Sequence, residues 1–342
     1  MNRKIVTLCM GALLLFSCNL SQKASRLYDV EGKVGAFSYR VKYISKDTTN
    51  LGRDIDSLVK AVDNSLSAYN PESVISRVNK GYVPVKADEH FKKAFSTAYE
   101  VWKQSGGMYD PTVGILVKAW GFGRELIQPI SQVPTHEQLD SLKQYVGLQK
   151  VQLTTDGYVK KEKREIQIDL NSVMRGYTAD VITEFLKSKD IENFVVKIDG
   201  EMIAYGMNTI ENKPWRIEAQ DPYELDDDYK EVVLQLKDES VSTDESYRRV
   251  WIDGTGKRFV HIINPFTGRP VVGEMLSATV VAKTAQESDA YATMFMIIGL
   301  EKSEEFLAHH PELKALLVYS DTDNKVQTYK TENLKPLLVA ER

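Results

Sequence analysis

Asp289 and Thr293 stand four residues apart in Ser288-Asp289-Ala290-Tyr291-Ala292-Thr293. On a helix that spacing puts one carboxylate and one hydroxyl on a common face. One charged and one neutral oxygen suit a hard cation such as Mg²⁺, which completes its shell with water and phosphate oxygens. The same pair also fits a plain helix whose Asp sits in the first turn and whose Thr only packs. Upstream, the segment from His261 to Pro270 reads as a strand running into a Pro/Gly turn, with His261 beside that turn. A half-buried histidine bonded within a sheet is the plain reading of this residue. The functional reading of both segments together is an oxygen-ligand metal site next to a phosphate-bearing ligand.

Two further stretches carry chemistry. The run from Asp169 to Arg175 falls where a strand over 166–170 meets a helix over 176–188, a junction that exposes backbone N–H groups suited to anions. Asp169 there is either part of a site or simply a helix N-cap. Gly106 and Gly107 precede Met108-Tyr109-Asp110-Pro111-Thr112-Val113-Gly114, and Trp120-Gly121-Phe122-Gly123 follows. Glycines that let the backbone come close, followed by polar and aromatic side chains, make either a ligand-contacting loop or an ordinary helix-to-loop junction. The only cysteines are Cys9 and Cys18, so from residue 19 onward the chemistry rests on oxygen and nitrogen groups.

The elements that must position these groups follow from periodicity. Residues 35–43 alternate like a first strand, and apolar positions from Leu51 to Leu66 and a segment from Glu89 to Lys103 read as helices. Strands are expected over 194–198, 215–218, 232–236, 259–263 and 277–281, with a turn around 242–248. His309 and His310 fall at a helix end. Strands and helices interleave without a βαβ rhythm, and no Gly-x-Gly-x-x-Gly turn follows the first strand. The expected class is therefore α+β, one large mixed domain, rather than a doubly wound parallel sheet.

Length and charge bound the function. The 342 residues, 42% hydrophobic, can bury a sizeable core. With 44 basic and 48 acidic residues the net charge is -4, which removes the electrostatic ground for bulk nucleic-acid binding. The N-terminus is read as a signal: Arg3 and Lys4, an apolar run from Ile5 to Phe16, then Ser17-Cys18. Residues 1–17 form a lipoprotein signal in this reading, Cys18 is the lipidated residue, 18–30 is a tether and 31–342 is the domain. The run is too short for a comfortable span, so the membrane is met only through acyl chains, at the extracytoplasmic side of a bacterial envelope facing the periplasm.

Taken in order, the residues resemble the ApbE family. The resemblance is carried by the signal ending at Cys18, Ser67-Ala68-Tyr69-Asn70-Pro71-Glu72-Ser73, the Gly107–Gly114 run and Trp120–Gly123. It continues through Asp169-Leu170-Asn171-Ser172 with Gly176-Tyr177, the Gly200-Glu201 turn, His261–Pro265 with Thr267-Gly268, and Asp289 with Thr293. It implies a T-fold-like α+β domain and an FAD:protein FMN transferase. FAD serves as substrate, Mg²⁺ sits at its pyrophosphate, and a Thr or Ser hydroxyl of an exported redox protein takes FMN in a phosphoester bond as AMP departs. By the same resemblance Asp289 and Thr293 match metal ligands, and Ser172 a third contact through its backbone carbonyl. Tyr69, Met108, Tyr109, Asp110, Asp169 and Arg175 match FAD-contacting positions, while His261, in a strand lining the site, accepts the hydroxyl proton.

The chain departs from that family pattern in places. It has Asp199-Gly200-Glu201 for Gly-Gly-Glu, and Thr243-Asp244-Glu245 for Thr-Ser-Gly. A glutamate at a glycine position is expected to bring negative charge close to the anionic cofactor. An FAD-binding lipoprotein, or a pyrophosphatase releasing FMN and AMP, is the alternative those departures raise.

Overall fold

The computed structural model describes residues 24–35, 37–47, 50–122, 133–218, 232–246, 250–252 and 258–339. The expected signal, the lipid on Cys18, most of the tether, Gly123, Tyr247 and Arg248 lie outside them. No helix among the described residues is long and apolar enough to cross a membrane.

The centre is an eight-stranded sheet. Its strands are β1 (Arg26–Val34), β2 (Phe37–Ser45), β3 (Phe194–Ile198), β4 (Glu201–Tyr205), β5 (Glu239–Glu245), β6 (Met275–Ala282), β7 (Lys314–Ser320) and β8 (Val326–Lys330). Each lies beside its predecessor and every pairing is antiparallel. The α+β expectation is met, and a doubly wound parallel sheet is excluded.

The described helices are α1 (Gly52–Leu66), α2 (Val74–Lys80), α3 (Glu89–Gln104), α4 (Gly114–Ala119), α5 (His136–Lys143), α6 (Asn171–Ser188), α7 (Ala285–Ile298) and α8 (Leu300–His309). The apolar stripe of α1, with Ile55, Val59, Val62 and Leu66 buried, and that of α3, with Phe91, Ala94, Phe95 and Ala98, pack into the core on one sheet face. Three short strands, Trp215–Glu218, Val233–Leu236 and Leu338–Val339, cover the opposite face, where Trp215, Leu236, Val241 and Val318 share a second core. A third cluster joins Leu116 and Trp120 to Leu139, Phe259 and Ile263.

Two contacts fix the helices that matter most for function. Asp180 of α6 accepts the first free N–H groups of α7, from Ala285 at 2.9 Å and Gln286 at 3.0 Å. Such capping satisfies donors that a helix start leaves open. Gly176 of α6 passes so close to this start that a Cβ there would lie 2.1 Å from the Ala285 carbonyl oxygen. Only glycine permits that approach.

Several elements differ from the sequence-based expectation. β1 begins at Arg26, inside the segment read as tether, and its nine residues pair with β2 from Arg26↔Ser45 to Val34↔Phe37. Residues 166–170 form no strand, only a bridge between Gln167 and Val113. The Asn79 side chain plays the missing neighbour: its Oδ1 accepts from the Ile168 N–H and its Nδ2 donates to the Ile168 carbonyl, both at 2.8 Å. α6 starts at Asn171, so Ser172 to Arg175 belong to its first turns rather than to a loop. The expected turn at 242–248 is instead strand β5 up to Glu245. The strand expected over 259–263 stops at Val260, because Asn264 folds back to accept from the N–H groups of Phe266 and Thr267. His261 therefore sits just past a strand end.

Candidate active site

A cleft of about 850 Å³ runs between α6, α7, the end of β5 and the loops carrying Tyr69, Tyr109 and His261. Its floor is set by strand alternation. Successive β5 residues point to opposite sheet faces. Ser240 meets Ser288 of α7 at 3.2 Å, Ser242 approaches Glu201 at 3.5 Å, and Asp244 Oδ2 accepts the Thr293 hydroxyl at 2.8 Å.

Asp289 and Thr293 do share a face of α7 beside this floor. The Asp289 side chain is 4% exposed. Its Oδ2 accepts the Gly176 N–H at 3.2 Å, while Oδ1 lies 3.8 Å from Arg175 Nη2 and meets no hydrogen-bond donor among the described residues. In a regular helix the Gly176 N–H would serve the carbonyl of Ser172. Asp289 therefore reaches the N–H that the Ser172 carbonyl would otherwise take. The Ser172 hydroxyl itself pairs with the Tyr109 hydroxyl at 2.8 Å.

Behind the floor Arg175 Nε contacts Glu201 Oε2 at 3.0 Å, with the Glu201 side chain 2% exposed. Burial pushes the Glu201 carboxyl above its ordinary range while Arg175 opposes the shift. The charge of Glu201 holds Arg175 firmly protonated. Asp289 is pushed well above the usual carboxylate range, first by burial and then by the charge of Glu201. Asp244, Asp289 and Glu201 thus face one guanidinium among the described residues, that of Arg175, a crowding of carboxyl groups that a dication would relieve. A hydroxyl, carboxylates and a carbonyl are the donor set of hard cations, and the uncommitted Oδ1 of Asp289 is where such an ion would be held. No group of three or more His, Cys, Asp or Glu side chains with metal-binding geometry occurs among the described residues, so the remaining ligands would come from water and phosphate.

The other expected residues divide. Tyr69, Asp169, Arg175 and His261 line the cleft. The Nε2 of His261 stands 3.9 Å from Asp244 Oδ1 and its ring meets Phe122 edge-on. Asp169 Oδ1 also accepts the Asn171 N–H at 2.9 Å, so its turn-forming role is real as well. Tyr109 is buried, which raises its hydroxyl pKa, and it reaches the cleft as a support for Ser172. Asp110 also borders the cleft, and its carboxylate accepts from Thr112 N–H and hydroxyl, Trp102 Nε1 and Leu148 N–H. Burial raises its pKa against those four bonds, and its work is to pin the loop. Met108 is half-buried and is not among the residues of the cleft wall.

The departures also resolve differently from the expectation. Asp199 adopts a left-handed φ of 49°, and its Oδ1 accepts from Ser38 N–H and hydroxyl at 3.0 and 2.8 Å. It ties β2 to the β3–β4 turn. Glu245 does not line the cleft, since alternation puts it on the other side from Asp244. The added carboxylate in the site is Asp244, missed in the sequence because its neighbours read as a turn. The pattern Ser240-x-Ser242-x-Asp244 was the signal that could have found it.

Proteins of known structure and name share this architecture. Flavin Transferase ApbE from Vibrio cholerae superposes with a TM-score of 0.81 at 28% identity, covering 92% of this chain and 100% of that one. The FAD:protein FMN transferase of Haemophilus influenzae is 30% identical over 346 residues, and that of Escherichia coli K12 is 30% identical over 350. Both alignments cover 98% of each chain. Such full-length likeness makes this protein an enzyme of the transferase class. More narrowly, the ApbE family model matches residues 36–317, and the chain belongs to the ApbE family.

Proposed function

We propose that the enzyme moves FMN from FAD to a Ser or Thr hydroxyl of an exported redox protein. The hydroxyl oxygen bonds to the FMN-side phosphorus, the phosphoanhydride bond breaks, and AMP leaves with the electron pair. Phosphoryl transfer needs little beyond alignment and charge stabilisation, which fits a site without thiols. Asp289, Thr293 and the Ser172 carbonyl would hold Mg²⁺. Bound there, the ion supplies charge neutralisation at the diphosphate. Arg175, held cationic by Glu201, adds a fixed positive charge at the cleft floor. His261, at the cleft wall, takes the acceptor's proton, a role worth roughly 10²- to 10⁴-fold in rate.

The observation that carries this reading is the meeting of Thr293, Asp244, Arg175 and His261 around one cleft large enough for a nucleotide, with Asp289 buried 3.8 Å behind Arg175. Its test is to incubate the protein with FAD, Mg²⁺ and a hydroxyl-bearing acceptor protein. AMP should appear in step with flavin fluorescence on the acceptor. Equal amounts of free FMN and AMP would replace transfer with hydrolysis, and intact FAD would leave a flavin-binding lipoprotein. We place the protein at the extracytoplasmic face of the bacterial envelope, anchored through Cys18. Fatty-acid labelling that persists in a Cys18→Ser variant would overturn the anchor.

A further inference from the structure

We propose that Asp244 is itself a ligand of the divalent cation, so that this chain grips the ion with two carboxylates. The inference rests on the metal-dependent reading above and concerns a residue for which the family pattern has serine.

Distance supports it first. Neighbouring ligands in an octahedral shell with bonds of 2.0–2.1 Å stand roughly 2.9 Å apart. Asp244 Oδ2 and Thr293 Oγ1 already lie 2.8 Å apart, the separation of two ligands on one edge of such a shell. Asp244 is also aimed in advance. Its Oδ1 accepts the Glu245 N–H at 2.9 Å, which fixes the carboxylate plane and leaves Oδ2 toward α7 and the cleft. The side chain is 18% exposed, so a cation and its waters can reach it.

Charge supports it second. Arg175 sits 3.0 Å from Glu201 but 3.8 Å from Asp289, so its neutralising effect falls mainly on Glu201. Among the described residues no cation stands within hydrogen-bond distance of Asp289 or Asp244, Arg175 being 3.8 Å from the first and His261 3.9 Å from the second. A dication between the two aspartates balances that pair, whereas a lone Asp289 would leave it half compensated. Ligand charge count is a main determinant of affinity at such oxygen sites.

The rival role for Asp244 is to orient the Thr293 hydroxyl and nothing more. Mn²⁺ binding to the full chain without FAD, followed by the electron paramagnetic resonance of free Mn²⁺, separates the two. Wild type should bind one ion, and Asp244→Asn and Asp244→Ser should each weaken binding by tenfold or more, with thermal melts showing both variants folded. Asparagine keeps an oxygen acceptor for Thr293 and removes only the charge. Wild-type Mn²⁺ affinity in Asp244→Asn would therefore overturn the proposal while leaving the metal site standing. Failure of wild type to bind Mn²⁺, or full affinity in Asp289→Ala, would overturn the metal-dependent reading itself.

Discussion

Along β5 the two faces of the sheet can be compared residue by residue. Val241 joins Ala204, Leu236, Val281 and Leu316 beneath the three short strands, an apolar layer with almost no exposure. Ser240, Ser242 and Asp244 look the other way, toward α7, Glu201 and the cleft. One face supplies stability at about 25 cal/mol per Å² of apolar surface removed from water. The other collects buried carboxylates whose desolvation costs stability and raises the pKa values of Glu201 and Asp289. Stability and chemistry are thus carried by alternate residues of one strand, and substitutions on the two faces should be separable in their effects.

The largest effect expected is on activity. Asp289→Ala should lower FMN transfer by roughly 10³-fold, the scale for losing a charge-stabilising group in a phosphoryl site. Its melting temperature should equal or exceed that of wild type, because a desolvated charge has gone. A melting temperature that fell steeply would break the division between faces. Leu236→Ala, on the apolar face, should do the reverse: about 3 kcal/mol less stable in urea, with transfer per folded molecule unchanged.

Gly176→Ala probes the junction between the faces' helices. The added methyl meets the Ala285 carbonyl, so α6 and α7 must part, at a cost of about 1–3 kcal/mol. Here denaturation and transfer assays should both report a loss. The smallest effect concerns Asp180, whose carboxyl is pushed up to about 7 by burial in spite of its two bonds from α7. Since its folded pKa exceeds the unfolded value, the folded state holds the extra proton. Its contribution is fully present below about pH 4 and is lost as pH rises through 7. Melting curves across that window should flatten in Asp180→Asn, which itself costs about 1 kcal/mol in capping.

Legibility in the sequence followed how local each signal was. The stripes of α1 and α3, and the i, i+4 pair on α7, are written within a few residues and were readable. β1 was harder to read: Tyr28, Val30, Gly32 and Val34 turn inward with exposed residues between them, but Gly32 interrupts the apolar series and, as suits an edge strand, only Val30 and Val34 are fully buried. The segment 166–170 carried strand-like alternation, yet its partner is the amide of Asn79, far off in sequence. Asp244 hid in a polar run whose strand character comes from pairing with β6, Asp244 opposite Ala278. Asp110 was legible as important, but its burden of four donors is visible only in space.

The sheet meanders in chain order, yet residues 46–193 intervene between β2 and its neighbour β3. That excursion delivers Tyr69, Tyr109, Ser172 and Arg175, while Asp244, His261, Asp289 and Thr293 arrive with the strands that follow. Closing so long a loop is slow compared with zipping successive hairpins. A nascent or partly unfolded molecule therefore owns at most half a catalytic centre, and FAD is safe from it until the two halves of the polypeptide have met.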